Sequence, residues 1–526
     1  MTDCRTMIPH NTRRYAFPAV LAPVLALIFL SPAAFGQDEE AASPAQQLEQ
    51  LMTTGQEQLA SEDYEAALQT YADAIKVSGG QSVGAYLGRA AARKGLKEYA
   101  TALEDIKNAQ QALFDDPTAN AQAKRLSGEI YLELGALGEA LADLQEAAEL
   151  LPDDPGLQFS LGKAMVLAGG AEQGKEALDK WLESGSDDEE KNAEAYRLKA
   201  QASAMLSRYD EALADVDSSL KINPDDHETY ALKGFILALQ ENYEEAAEVL
   251  KTAIEKYEPE EGSDLPYTVA HLRRASALEE AAKQAAGDEN KQLALFTEAR
   301  DEVQRLLDAL PDRPELARDR ASALYTLGVN ERMIGDLGEA VKSFSEAIDI
   351  NPAMAPAYFR RGICFFHMGE ERLAIKDFDK AAGLDFESPH AALWKGRTYA
   401  QLGEYYEALR AYSEAIAVSD RYTDAYMNRG LTYVKLGNYP AAIEDFDDAI
   451  RLQPSNANLY YYRGVVYQLQ GDYKRAIRSL ATAIDYDDQL AGAYLHMADA
   501  LSAIGQSGLA SDYRTKGREL SGQVSH

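Results

Sequence analysis

The sequence predicts an all-α fold, a solenoid built from stacked helical hairpins. Three observations carry that expectation. Glycine recurs every 34 residues at Gly328, Gly362, Gly396, Gly430 and Gly464, with Ala498 in the next slot. Twelve residues after each stands an alanine: Ala340, Ala374, Ala408, Ala442, Ala476 and Ala510. Seven further on come Ala347, Ala381, Ala415, Ala449 and Ala483, with Gly517 closing the series. A fixed period of this length marks a repeat architecture in which each unit is one supersecondary element that cannot bury its apolar face alone.

Residues 1–36 read as a signal peptide. Arg5, Arg13 and Arg14 flank or precede the uncharged apolar stretch 16–30, and Ala34-Phe35-Gly36 puts small residues at a cleavage position. The expectation is export, periplasmic or extracellular, with no membrane contact after cleavage. The alternative is an uncleaved N-terminal anchor, because the uncharged run continues to Gly36, although Pro18, Pro23 and Pro32 interrupt it. A polar linker, 37–46, follows.

Residues 47–258 carry the repeat in weaker form. Gly55, Ala67, Tyr71 and Ala74 open it, then Ala90, Ala102, Ile106 and Ala109, then Gly128, Ala140, Leu144, Ala147 and Pro152. Over 155–192 the unit is degenerate: Leu161-Gly162 keeps the first helix, but Gly169-Gly170 and the acidic run 187–190 predict a local irregularity. Order returns with Tyr196, Ala200, Ala212 and Pro224, and again with Tyr230, Gly234, Ala246, Leu250 and Ala253. Between 259 and 316 the register breaks, and 266–286 and 290–310 read as an atypical long helical hairpin joining two arrays.

The C-terminal array, 317–522, holds six units of 34 residues. In the unit 423–456, Tyr426, Gly430 and Tyr433 share one helical face, and Ala442, Phe446, Ala449 and Ile450 share another. Gly335, Gly369, Gly403, Gly437, Gly471 and Gly505 fall between the two helices, where a positive φ ends the first one. Small residues at Gly430 and Ala442 let the helix axes approach closely. The bulky Phe344, Phe378, Tyr412, Phe446 and Leu480 then fill the space between neighbouring units, and Arg514 in the last unit marks a solvent-facing end.

This pattern resembles the tetratricopeptide repeat family, of the exported bacterial type. Leu327-Gly328 matches that family's Leu-Gly pair, while Arg361-Gly362, Lys395-Gly396, Arg429-Gly430 and Arg463-Gly464 keep the glycine and substitute a cation. The resemblance covers roughly 47–522 and implies a right-handed superhelix whose first helices line a concave groove. It places Tyr325, Phe359, Leu393, Met427 and Tyr461 on that groove, with Ile363, Arg397 and Leu431 one turn on, flanked by Arg361, Arg429 and Arg463. The competing reading assigns the same side chains to packing between repeats. The carboxylate-clamp members present Lys and Asn in these slots, and their absence argues against capture of an acidic chain terminus.

Composition narrows the partner classes. The 526 residues carry 86 acidic against 52 basic side chains, a net charge of −34, which opposes nucleic acid and anionic lipid. Cys4 and Cys364 build no disulfide framework, the seven histidines lack zinc-ligand spacing, and no cofactor or metal is expected. Gly80-Gln81-Ser82-Val83-Gly84 has the string of a nucleophile elbow, but a helix rather than a strand leads into it. Gly169 to Lys175 falls short of a phosphate loop because Glu176 stands where a hydroxyl is needed. His367 and His390 read as surface or groove histidines, Cys364 as a buried thiol, and Asp445, Asp447 and Asp448 as solvated acids. The function expected is a non-enzymatic protein–protein interaction scaffold binding an unidentified peptide or helix. The alternative is a self-assembling homo-oligomer, and an enzyme would need its site on 155–192 or 259–316.

Overall fold

The computed structural model describes residues 43–112, 116–259, 263–385 and 388–523; the signal-peptide reading and most of the 37–46 linker lie outside them. Among the described residues there are 26 α-helices, one 3₁₀ turn at Pro314–Leu316 and no strand. They form two compact units that divide between Ser263 and Asp264.

The first unit is a stack of six hairpins: α1 (Pro44–Ala60) with α2 (Tyr64–Val77), α3 (Val83–Gly95) with α4 (Tyr99–Ala112), and α5 (Pro117–Glu133) with α6 (Leu137–Leu150). Next come α7 (Pro155–Leu167) with α8 (Ala171–Glu183), α9 (Glu189–Met205) with α10 (Tyr209–Ile222), and α11 (His227–Leu239) with α12 (Tyr243–Lys256). The second unit has seven: α13 (Thr268–Gln284) with α14 (Glu289–Ala309), α15 (Ala317–Ile334) with α16 (Leu337–Ile350), and α17 (Ala355–Met368) with α18 (Glu371–Leu384). It continues with α19 (Pro389–Gln401) and α20 (Tyr405–Val418), α21 (Thr423–Lys435) and α22 (Tyr439–Leu452), α23 (Ala457–Leu469) and α24 (Tyr473–Tyr486), and α25 (Ala491–Ala503) and α26 (Ser507–Gln523).

Local chemistry sets these boundaries. Ser43 and Gln46 close a capping box at the start of α1, so the helix begins ahead of the boundary expected at 47. Ser82, Asp154, Asp188 and Asp288 each accept a backbone N–H three residues on, satisfying a donor that the helix start leaves open. Inside each hairpin one residue turns left-handed. In the repeats from α15 onward it is glycine, with φ between 73° and 99° at Gly335, Gly369, Gly403, Gly437, Gly471 and Gly505. Glu62, Lys97, Ser207 and Glu241 take the same conformation in the first unit.

The irregularity expected over 155–192 does not occur inside the hairpin. The α7–α8 pair packs as its neighbours do, with Gly162 against Leu178. The insertion is absorbed as extra helix instead: α9 runs 17 residues where α11 runs 13, and the added turn precedes the packing face. The helix pair expected at 266–310 is present as α13 and α14, and it packs on α15 as the opening hairpin of the second unit.

In both units every first helix also touches the first helix of the next hairpin, whereas no second helix reaches the next second helix. Closer spacing on one side of a stack makes that side the inside of its curve. The odd-numbered helices therefore line the inner face of each unit.

Candidate partner-binding surface

The repeat glycines exist because a ring or a leucine fills the space a Cβ would occupy. A Cβ on Gly328 would lie 2.9 Å from Phe344, on Gly396 2.5 Å from Tyr412, and on Gly464 2.7 Å from Leu480. Gly362 meets Phe378, Gly430 meets Phe446, and Gly128 and Gly234 meet Leu144 and Leu250 in the same way. Ala340, Ala374, Ala408, Ala442 and Ala476 are wholly buried at the same crossings. The bulky side chains thus close the gap inside their own hairpin and also bridge to the next, as Phe344 does toward Ala357 and Cys364. They fill the space between neighbouring units, as the spacing predicts, and the hairpin crossing as well.

The cation preceding each glycine has a structural task. Arg361 donates to Asp377, sixteen residues ahead on α18, at 2.7 and 2.8 Å, and to Ser345, sixteen behind on α16, at 2.9 Å. Arg429 repeats this with Asp445 and Ser413, and Arg463 reverses it with Asp447 and Ser479. These arginines tie three helices together. Asp445, expected at solvent, is 2% exposed, and burial holds its carboxyl above the ordinary value even beside Arg429.

The eight side chains assigned to the groove separate into two groups. Leu393 (2% exposed) joins the core of Ala408, Tyr412 and Ala425, and Ile363 (5% exposed) that of Ala374 and Phe378. Neither is accessible to a partner. Tyr325, Phe359, Met427, Leu431, Tyr461 and Arg397 are half-buried. Tyr325 packs on Phe344 at 5.8 Å between ring centroids, Phe359 on Phe378 at 6.0 Å, and Tyr461 on Tyr462 and on His496 of the next first helix at 5.3 and 5.7 Å. Arg397 lies 5.2 Å over the Trp394 ring.

Several surface residues escaped sequence reasoning. Trp394 and Phe366 meet edge to face at 5.4 Å, and His367 sits 6.3 Å from Trp394, so two first helices share an aromatic cluster on the inner side. Arg332 and Arg360, on α15 and α17, are half-buried, and Arg360 lies 6.0 Å over the Phe359 ring. In the first unit the inner face is ionic instead. Lys94 bridges to Glu129 at 2.5 Å, Lys163 to Glu194 at 2.7 Å and Arg197 to Glu228 at 2.7 Å, linking α3 to α5, α7 to α9 and α9 to α11. Burial alone would raise the Glu129 carboxyl, yet Lys94 and Arg125 outweigh it and hold the pKa at about 2.

The catalytic look-alikes resolve into structure. Ser82 caps α3 through Ala85 N–H at 3.2 Å. Lys175 is buried and donates to Ser203 at 2.8 Å and to Glu211. His390 bonds the Tyr422 hydroxyl at 2.8 Å rather than His367. Cys364 is buried, its thiol pushed up to about 11. Among the described residues no cluster of His, Cys, Asp and Glu has metal-ligand geometry, and no helix is long and apolar enough to cross a membrane.

Stacked two-helix units with small residues at each crossing and a left-handed turn in each hairpin define a helical-repeat protein. A TPR repeat model matches residues 128–169, 396–437 and 432–471, and two further tetratricopeptide repeat models match 161–227 and 457–490. The chain belongs to the tetratricopeptide repeat family. No curated protein matches it. Similar solved structures include a tetratricopeptide repeat protein from Parabacteroides merdae, with 20% identity over 47% of this chain and 93% of that one at a TM-score of 0.36. The APC/C hetero-tetramer Cut9–Hcn1 is similar over 91% of this chain and 95% of that one, with 17% identity and a TM-score of 0.34. MamA from Desulfovibrio magneticus RS-1 covers 33% of this chain and 97% of its own, with 19% identity and a TM-score of 0.31.

Proposed function

We propose that the chain is a non-enzymatic scaffold that binds a segment of a partner protein on the inner face of its second unit. One observation carries this reading: successive first helices leave half-open aromatic and apolar side chains, from Tyr325 through Phe359 and Trp394 to Met427, Leu431 and Tyr461. Aromatic anchors of this kind supply most of the affinity when a peptide or helix lies in a groove. The arginine-bearing apolar segment 1–36 supports export of the scaffold, and N-terminal sequencing of the protein from its own cells tests that part.

Site-specific photocross-linking tests the binding face. A photoreactive side chain at Met427 or Tyr461 is expected to capture a defined partner from an extract of the source cells, whereas one at the exposed Lys380 on α18 is not. Equal capture from both positions, with helicity unchanged, overturns the assignment of the inner face. Capture of the chain itself transfers the reading to homo-oligomer assembly.

A further inference from the structure

Acidic side chains outnumber basic ones 86 to 52 in this protein, and a cation without a carboxylate partner is common on the exposed faces but unusual where the side chain is half-buried. On the first helices of the first unit each lysine and arginine has one: Arg89 and Arg93 share Asp105, Lys124 takes Asp143, and Lys199 takes Asp179 and Asp215. The cations before the repeat glycines of the second unit are paired as well. Four half-buried arginines on first helices depart from this; Arg320 on α15 donates to the Leu310 carbonyl at 2.8 Å, and the other three lie on consecutive first helices. Arg332 on α15, Arg360 on α17 and Arg397 on α19 make no ion pair among the described residues.

Their surroundings leave them in want of an anion. The buried Nε of Arg332 has no hydrogen-bond partner, and the side chain's one bond is a 3.1 Å contact from Nη2 to the Met333 sulfur. Burial, and then the like charge of Arg360, push Arg332 below its ordinary value. Glu279 on α13 is the acid that Arg360 feels, but burial raises its carboxyl and its Oε1 already accepts from Asn330 at 2.7 Å. Partly desolvated like charges cost free energy that an external carboxylate relieves. Arg360 lies 6.0 Å over the Phe359 ring and Arg397 5.2 Å over Trp394. A guanidinium stacked this way keeps its in-plane N–H groups for bidentate bonds to a carboxylate.

We infer that the inner face between α15 and α19 takes an acidic segment of a partner protein, with side-chain carboxylates on Arg332, Arg360 and Arg397 and apolar side chains against Phe359 and Trp394. Three cations spread over three helices match several acids along a segment better than a single chain terminus. This inference rests on the inner-face reading above and names the chemistry of its partner.

Fluorescence anisotropy on the full chain tests it with a labelled synthetic peptide alternating Glu with Leu and Phe, and with its Gln-for-Glu counterpart. The acidic peptide is expected to bind at least about tenfold tighter, and to weaken as salt rises. Arg360→Gln with Arg397→Gln removes that preference, while Lys376→Gln, a cation change on the exposed side of α18, leaves it. Circular dichroism verifies that each variant is folded. Equal affinity for the two peptides overturns the acidic-segment inference while leaving the inner-face reading intact. A preference that survives the double substitution overturns the arginine assignment. Failure of both peptides to bind also overturns the inference, and the cross-linking experiment, which uses no peptide, then judges the inner face separately.

Discussion

A methyl group on Gly396 would have to share space with the Tyr412 ring 2.5 Å away, and neither the buried ring nor the helix backbone has room to yield. Gly396→Ala is therefore expected to lower stability by about 1–3 kcal/mol in urea unfolding. The turn positions respond in the opposite sense to one another. Ser207 holds φ 59°, a conformation that costs a residue with a Cβ about 1 kcal/mol, and Gly437 holds φ 73° without that cost. Ser207→Gly should raise the unfolding free energy by up to about 1 kcal/mol and Gly437→Ala should lower it by a similar amount. Equal and like-signed effects would show that the turn backbone relaxes on substitution. The glycine positions were legible from spacing, because a left-handed turn and a close crossing both demand the absence of a Cβ. Ser207 was not, because a serine carries no mark of the φ it will adopt.

Helix-to-helix contacts decide what each charged face does. Glu129 on α5 joins Lys94 of α3 and Ser160 of α7, and its pKa falls from 4.5 to about 2. A lowered carboxyl contributes stability above its unfolded pKa and loses it as pH falls toward the folded one. The first unit is thus expected to lose on the order of 3 kcal/mol between about pH 5 and pH 2 from this group. Glu129→Gln should flatten that limb of the stability–pH curve and lower the plateau at neutral pH. In the second unit Asp445→Ala strands Arg429 between α20, α21 and α22, and a loss of about 3 kcal/mol is expected, read by thermal or urea unfolding. Neither pairing was legible beforehand. Asp445 shares its helix face with residues that do meet solvent, and its burial follows from how deeply α22 seats against α21.

At the scale of the whole chain, stability in a stacked-hairpin protein is the sum of hairpins and of contacts with immediate neighbours. The fragment from Asp264 onward contains a complete compact unit and is expected to keep its helical content and unfold cooperatively by itself. Circular dichroism with urea titration measures this, and a fragment that is unfolded in buffer would show that the unit depends on the rest of the chain. The inner faces of the two units also differ chemically. One is closed by paired charges, and the other is aromatic with three unpaired arginines.

The amino-acid sequence by itself determined the repeat length, the two-helix unit, the left-handed turns of the second array and the small residues at each crossing, because all of these depend on neighbours along the chain or on the bare size of a side chain. Tertiary structure alone decided that Leu393 and Ile363 are core while Phe359 and Arg397 stay half-open, and that Arg361 is tied to Asp377 while Arg360 is left without an acid. Helical periodicity assigns a residue to a face. How near the next helix comes to that face, and which charge it brings, depends on the packing of a different hairpin.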